Sequence, residues 1–258
     1  MIAGIFTSFP PILICFVVFG GMILFSFFGF GIGKWYYGNK EHDDNSGPAE
    51  GSINAILGLL LAFTFSMAGN HYDQRKDLIL EEANCISTVI LRCDLYPDSI
   101  AKPIKSHLKN YLDSRINYYQ SEGEDRIIEL KNANEIFEKI WTICATSSNK
   151  PELLIASGQM IPALNAMNDI VTSRDAARTT HVPGIINWML IALAYLASFY
   201  SGFQRSAKLN MSRISIVLFA LLTSMVFYLI LDLDRSKSGF VRNDHEAKYI
   251  EELHELLK

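Results

Sequence analysis

The apolar residues of this chain are gathered into four long blocks. The blocks run from about Pro11 to Gly33, Ile53 to Gly69, Pro183 to Phe203 and Ile214 to Leu233. A helix needs roughly 20 apolar residues to cross about 30 Å of hydrocarbon. Lipid offers no hydrogen-bond partner to the backbone, so a single span must be helical. The pattern therefore predicts four transmembrane helices.

The polar connectors arrange these spans in two pairs. Residues 34–52 and 204–213 are short loops, whereas residues 70–182 form a long central segment. Four spans place the N-terminus, the central segment and the C-terminus on one side. The basic residues near the membrane on that side are Arg75, Lys76, Arg174, Arg178, Arg235, Lys237 and Arg242, against Lys34, Lys40, Arg205, Lys208 and Arg213 on the other. The positive-inside rule then favours a cytoplasmic central segment.

The second span is predicted to continue as a helix beyond the lipid. No Gly or Pro occurs from Asn70 to Tyr96, and Pro97 supplies a stop. Apolar residues recur every three or four positions at Ile79, Ala83, Ile86, Ile90 and Cys93. From Ile53 onward such a helix is ~66 Å long. The predicted divisions are 1–69 (first transmembrane pair), 70–182 (cytoplasmic helical segment), 183–233 (second pair) and 234–258 (polar tail).

Further helices are expected in the central segment. Apolar stripes occur in two stretches, at Ile100, Ile104, Leu108, Tyr111, Leu112 and Tyr119, and at Ile127, Ile136, Phe137, Ile140, Trp141 and Cys144. Another helix is expected from about Pro151 to Thr180, interrupted or kinked near Pro162. No stretch reads as a strand, so the predicted fold class is an all-α polytopic membrane protein.

Composition narrows the function classes. The 258 residues carry a net charge of −4, which gives no electrostatic reason to expect a nucleic-acid partner. The spacing of the four cysteines (Cys15, Cys85, Cys93 and Cys144) matches neither a zinc site nor a disulfide framework. No recognised catalytic motif is present. We expect no enzyme activity, no cofactor and no bound metal.

One face of the second helix changes character along its length. Successive positions on this face are Ala55, Leu59, Phe63, Ser66, Asn70, Asp73, Asp77 and Glu81. Their spacing of three or four residues keeps them on one slowly drifting stripe. In a ring of identical helices this face would form an apolar constriction followed by polar and acidic rings. An apolar ring can gate by dewetting, and carboxylate rings favour cations.

Other interpretations of this face remain open. Asp73, Asp77 and Glu81 match an ordinary solvated face. Leu59 and Phe63 match packing against lipid or within one bundle. Small residues at Gly58, Ala62 and Ser66 form a ridge that can seat a neighbouring transmembrane helix.

Charged residues also meet where spans two and four leave the membrane. Arg75 and Lys76 follow span two, and Asp232 and Asp234 end span four on the same side. We predict an interfacial salt bridge between one residue of each pair, with an anchoring role. An enzyme would have to use the group formed by His71, Asp73, Asp232 and Asp234.

The same stretches resemble a known family. The segments GLLLAFTFSMAGNHYDQRK and LEEANCISTVILRCDL, together with Leu231 to Arg235 and Ser238 to Phe240 near the C-terminus, are similar to the bacterial bestrophin-like membrane proteins. The similarity covers nearly the whole chain. A more distant similarity links it to bestrophins, which are pentameric ion channels with a narrow apolar neck on the second helix.

This resemblance implies a function that the residues alone do not. The neck would map to Ala55, Leu59 and Phe63, although Ala55 is small where a bulky residue is expected. The acidic calcium clasp of animal bestrophins has no match, so no bound calcium is expected. The implied protein is a homo-oligomer, a pentamer by resemblance, that lies in the lipid bilayer of a bacterial inner membrane and passes inorganic ions. A preference for cations is expected from the acidic face of the second helix and not from the resemblance. The alternative is a non-conducting helical scaffold or sensor that binds a partner through residues 70–182.

Overall fold

Helices make up nearly all of the described chain. The computed structural model describes residue 6 and residues 9–38, 47–121, 123–207, 213–235 and 246–257, and these contain no strand. The α-helices are α1 (Pro11–Tyr37), α2 (Gly47–Arg92), α3 (Asp98–Gln120), α4 (Gly123–Ser147), α5 (Leu154–Thr179), α6 (Gly184–Ala207), α7 (Arg213–Asp234) and α8 (Glu246–Glu251). The predicted all-α class is confirmed.

Four helical stretches are long and apolar enough to cross a membrane. They lie in α1, in α2, in the α5–α6 stretch and in α7. The prediction of four spans is therefore confirmed. Some residues named in the sequence analysis lie outside what the structure describes. These are Lys40, Lys208, Lys237, Arg242, the side chain of Arg213 and the Ser238–Phe240 motif.

Helix boundaries follow the expected breakers. Pro10 precedes α1 and Pro97 precedes α3, and Gly123 begins α4 with a positive φ of 60°. The connectors predicted at 34–52 and 204–213 are partly wrong, because α1 continues to Tyr37, α2 begins at Gly47 and α6 continues to Ala207. Polarity alone does not end a helix, and α1 stops only at Gly38, where φ is 68°.

The chain divides into two compact units. The apolar unit comprises Met1–Tyr72 and Thr180–Arg242, and the polar unit comprises Asp73–Thr179 and Asn243–Lys258. The division between them falls within α2, after Tyr72.

In the apolar unit, α1 packs along α6, and glycine makes the close approach possible. A Cβ at Gly29 would overlap the Phe199 carbonyl oxygen, and one at Gly202 would overlap the Ser26 carbonyl oxygen. Two backbones approach this closely only where a side chain is absent. Each predicted transmembrane pair joins two spans that are consecutive in sequence. The closest observed packing, however, is between α1 and α6, which belong to different pairs.

The polar unit has its own hydrophobic core. Its fully buried side chains come from α2, α3, α4 and α5 and include Ile86, Ile104, Leu108, Ile140 and Leu164. The predicted stripe from Ile79 to Cys93 is buried throughout. Ile127 is a wrong core prediction, because its side chain is 70% exposed near the start of α4. The C-terminal residues Ile250 and Leu253 complete this core.

Candidate functional site

The residues predicted to form the graded face of α2 are all exposed in the single chain. Leu59 is 56% exposed and Phe63 is 63% exposed. The other members are exposed as well, namely Ala55, Ser66, Asn70, Asp73, Asp77 and Glu81. Leu59 and Phe63 are therefore not packed inside the bundle formed by the described residues, which argues against one of the interpretations left open by the sequence.

The apolar part of α2 is also the least covered of the candidate spans. In its most apolar 18 residues 17% are buried, against 33%, 39% and 39% in the other three stretches. Leu57, Leu61 and Ala68 hold α2 to the core of the apolar unit. The rest of this surface must meet lipid or another protein chain.

The small-residue ridge on α2 is open on the side of Gly58, as far as the described residues go. A Cβ at Gly58 would meet nothing within 4 Å, and Ala62 and Ser66 are exposed. Gly29 and Gly202, by contrast, already seat an opposing helix backbone. The ridge on α2 therefore remains free to seat a helix from another molecule.

Next to the acidic end of this face lies a buried ionic cluster. Glu82 is fully buried, and its carboxylate accepts hydrogen bonds from Arg115 Nε at 2.6 Å and from the Tyr119 hydroxyl at 2.6 Å. Arg174 Nη1 forms an ion pair with the same carboxylate. We call Glu82, Arg115, Tyr119 and Arg174 the Glu82 cluster. It joins α2, α3 and α5 within the polar unit.

The charges in the Glu82 cluster stabilise one another. Burial by itself raises the pKa of Glu82, but the guanidinium groups of Arg115 and Arg174 and the hydrogen bonds from Arg115 and Tyr119 outweigh burial and hold that pKa below its ordinary value. Burial raises the pKa of Tyr119 well above its ordinary value, so its hydroxyl stays protonated and donates to Glu82. The Arg174 guanidinium also lies 4.2 Å from the centre of the Tyr119 ring.

Sequence reasoning did not identify this cluster, although a signal was present. Glu82 lies three residues after Ile79 and four before Ile86, so it occupies the buried stripe of α2. A carboxylate at such a position must find a cationic partner. Glu81, its neighbour, lies on the exposed side.

A second cluster lies in the apolar unit. The Asp234 carboxylate at the end of α7 accepts a 2.8 Å hydrogen bond from the backbone N–H of Val182, and His71 and His181 each place Nδ1 3.5 Å from one of its oxygens. His71 and Asp234 were placed in one group from the sequence, but the partner predicted for Asp234 was Arg75 or Lys76. In the described residues, no group of three or more His, Cys, Asp or Glu side chains is arranged to hold a metal ion.

The predicted ion pair of Arg75 or Lys76 with Asp232 or Asp234 stays a prediction. Arg75 is 6% exposed, Asp232 is 1% exposed, and Lys76 is exposed. The two basic residues belong to the polar unit and the two acidic residues to the apolar unit.

Comparison with known proteins agrees with this architecture. The model of the bestrophin-like domain matches residues 37–243. No curated protein matches the sequence. Among solved structures, a variant of a bacterial bestrophin homologue from Klebsiella pneumoniae superimposes with a TM-score of 0.71 at 14% identity, over 94% of this chain and 98% of that chain.

Two further structures of a bacterial bestrophin homologue from Klebsiella pneumoniae give the same result. Another variant has a TM-score of 0.72 at 14% identity, covering 95% of this chain and 96% of that one. A third structure has a TM-score of 0.69 at 16% identity, covering 94% and 96%. At these identities the likeness shows a shared fold. The family model spans most of the chain, and the chain belongs to the bestrophin-like family as a multi-pass membrane protein.

Proposed function

We propose that the protein is a homo-oligomeric ion channel whose pore is lined by α2 from each subunit. The observation that carries this proposal is the exposed face of α2, which changes along its length from apolar to carboxylate. Among the described residues of a single chain, this face is exposed and a Cβ at Gly58 would meet nothing within 4 Å. A ring of copies with α2 innermost gives both surfaces a role.

The apolar part of the face forms the constriction of the proposed pore. Leu59 and Phe63 are one helical turn apart, so they form two neighbouring apolar rings. A narrow apolar ring holds water poorly, and small changes of radius switch it between wet and dry. Ala55 precedes these rings and leaves that level wider.

The acidic part of the face sets the proposed ion preference. Asp73, Asp77 and Glu81 are exposed and follow the constriction along the same side of α2. Each subunit places its own copies of these carboxylates around the axis. Such rings of carboxylates concentrate cations at a pore mouth. The proposed channel therefore prefers monovalent cations to anions.

The proposed topology places the protein in the bacterial inner membrane. Residues 1–69 and 183–233 supply the two transmembrane pairs, and residues 70–182 form the cytoplasmic helical segment. The N-terminus and the tail from 234 onward share that cytoplasmic side, in keeping with the distribution of basic residues. By family resemblance the assembly is a pentamer.

Conduction is tested with purified protein in planar bilayers. We expect a current that changes when Phe63 or Leu59 becomes Ala. Matched controls are Phe28→Ala and Leu24→Ala on α1, where the native side chains are 62% and 70% exposed. These controls should leave the current unchanged because α1 does not line the proposed pore. Absence of current under all ionic conditions, or equal effects of Phe63→Ala and Phe28→Ala, would contradict the proposal.

One observation favours the alternative of a non-conducting scaffold or sensor that binds a partner through residues 70–182. The polar unit exposes large apolar side chains at Ile127, Ile128, Leu154 and Ile155, the last of which is 85% exposed. Apolar surface of this kind in water is typical of protein interfaces. A scaffold would show α2 outside any central axis, and the Phe63→Ala variant would then behave like wild type.

A further inference from the structure

The Asp234 cluster brings two imidazoles to one carboxylate. His71 Nδ1 lies 3.5 Å from Oδ1, and His181 Nδ1 lies 3.5 Å from Oδ2 and 3.0 Å from the Asp234 carbonyl oxygen. The Val182 backbone N–H donates a 2.8 Å hydrogen bond to Oδ1 of Asp234. The Asp234 cluster is defined as these three side chains with the Val182 N–H.

The cluster connects three separate segments of the apolar unit. His71 belongs to α2 and directly follows the predicted pore residue Asn70. His181 and Val182 lie in the short stretch between α5 and α6, and Asp234 is the last residue of α7. The Asp234 side chain is 9% exposed, against 19% for His71 and 32% for His181. Protons from water therefore reach the histidines, while the carboxylate is held mostly away from solvent.

Other ionisable groups near the carboxylate come from α7 and α1. Arg235 interacts electrostatically with Asp234, with Asp232 and with Cys15 of α1, and Tyr228 interacts with Asp232. Residues 184–194, the first turns of α6, carry no ionisable side chain. Arginine keeps its charge at all physiological pH values. The two histidines are therefore the members of this group that can change charge between pH 5 and 8.

We propose that His71, His181 and Asp234 form a proton-binding site that holds α2 in contact with the end of α7 and with the segment before α6. We call the structure with these contacts the fastened arrangement. A nearby carboxylate favours the charged form of an imidazole. The fastened arrangement therefore binds protons more tightly than one in which α2 has moved away. By linkage, acid pH stabilises the fastened arrangement, and a rise in pH weakens it.

The two histidines titrate as a coupled pair because they share one carboxylate. The first proton gains the full attraction of Asp234, and the second also meets the charge of the first imidazolium. The site therefore responds over a wider pH range than a single histidine. Where α2 lines a pore, proton binding would act on the pore helix; that consequence rests on the proposed function, whereas proton binding itself does not.

The test is a histidine titration followed by NMR in detergent. The full chain is labelled with 13C at histidine Cε1, and its 6 histidines are assigned with single His→Gln variants. Asp234→Asn removes the carboxylate charge that both imidazoles face, so their proton affinity should fall and the NMR titration curves of His71 and His181 should move to lower pH. His254 provides a matched control, because its Nε2 lies 3.2 Å from Asp113 in the polar unit. Its titration curve should be the same in wild type and in Asp234→Asn.

Unchanged midpoints of His71 and His181 in Asp234→Asn would overturn the proposal. If that variant does not fold, His71→Gln decides the question. Without the competing imidazolium, the His181 midpoint should rise above its wild-type value, and an unchanged midpoint would refute the shared site. Neither experiment requires ion current, so a failure here is distinguishable from a failure of the channel proposal.

Discussion

Replacing Glu82 with Gln tests whether its buried ion pairs stabilise the part of α2 that lies in the polar unit. The substitution keeps the size of the side chain but removes the negative charge that faces Arg115 and Arg174. Arg115 is 1% exposed, and its Nη1 has no hydrogen-bond partner among the described residues, so solvent cannot compensate for the lost charge. We expect Glu82→Gln to destabilise the polar unit strongly.

The size of the effect follows from the burial of the pair. Removing one partner of a buried ion pair costs roughly 3–5 kcal/mol because an uncompensated charge remains inside. The Gln amide still accepts a hydrogen bond from Arg115, so the lower end of about 3 kcal/mol applies. At ~2–4 °C per kcal/mol for a chain of this size, the apparent melting temperature should fall by about 10 °C.

Glu81→Gln is the matched control, because Glu81 is the adjacent residue and is exposed. Its effect should stay within ~0.5 kcal/mol. Both variants are melted in the same detergent at one scan rate, since membrane proteins of this kind commonly unfold irreversibly. Equal melting temperatures for the two variants would refute the assignment of Glu82 as a buried charge partner.

The pH dependence of the melting temperature of the same variants provides an independent check on the sign of the Glu82 contribution to stability. The folded-state pKa of Glu82 lies below its ordinary value, so its stabilisation is fully present above the ordinary value of about 4.3. It is lost as the pH falls further, through the depressed folded-state pKa. The difference in melting temperature between wild type and Glu82→Gln should therefore be constant near neutral pH and shrink below about pH 4.3.

Two other predictions follow from the same geometry. Gly202→Ala places a methyl group against the Ser26 carbonyl oxygen, so it should sharply lower the yield of folded protein in size-exclusion chromatography, whereas Gly31→Ala, which meets open space, should not. Neutralising Asp77 and Glu81 together to Asn and Gln should shift the reversal potential in a salt gradient towards lower cation preference. An unchanged reversal potential would contradict the proposed acidic rings.

The sequence was sufficient for the helices because their signals are local. The apolar blocks of α1 and α7 are continuous, and Pro97 and Gly123 mark helix boundaries by their own backbone constraints. The error at Ile127 has a local cause too. Both Ile127 and Ile128 are exposed, and α4 turns its buried side inward only from Ala133 onward.

The ionic clusters could not be derived from one sequence, because their partners are far apart along the chain. Glu82 pairs with Arg115 and Arg174 from two other helices, and Asp234 meets His71 across the apolar unit. Residue 82 was not among the positions predicted to be buried, and its place beside the stripe of α2 does not show which cations would reach it.

The central claim is that several copies of α2 surround a common axis. Electron cryomicroscopy of the purified protein in detergent tests it most directly. We predict a symmetric ring with α2 innermost and with Leu59 and Phe63 directed at the axis. A monomeric particle, or an assembly in which these two side chains face lipid, would contradict the account.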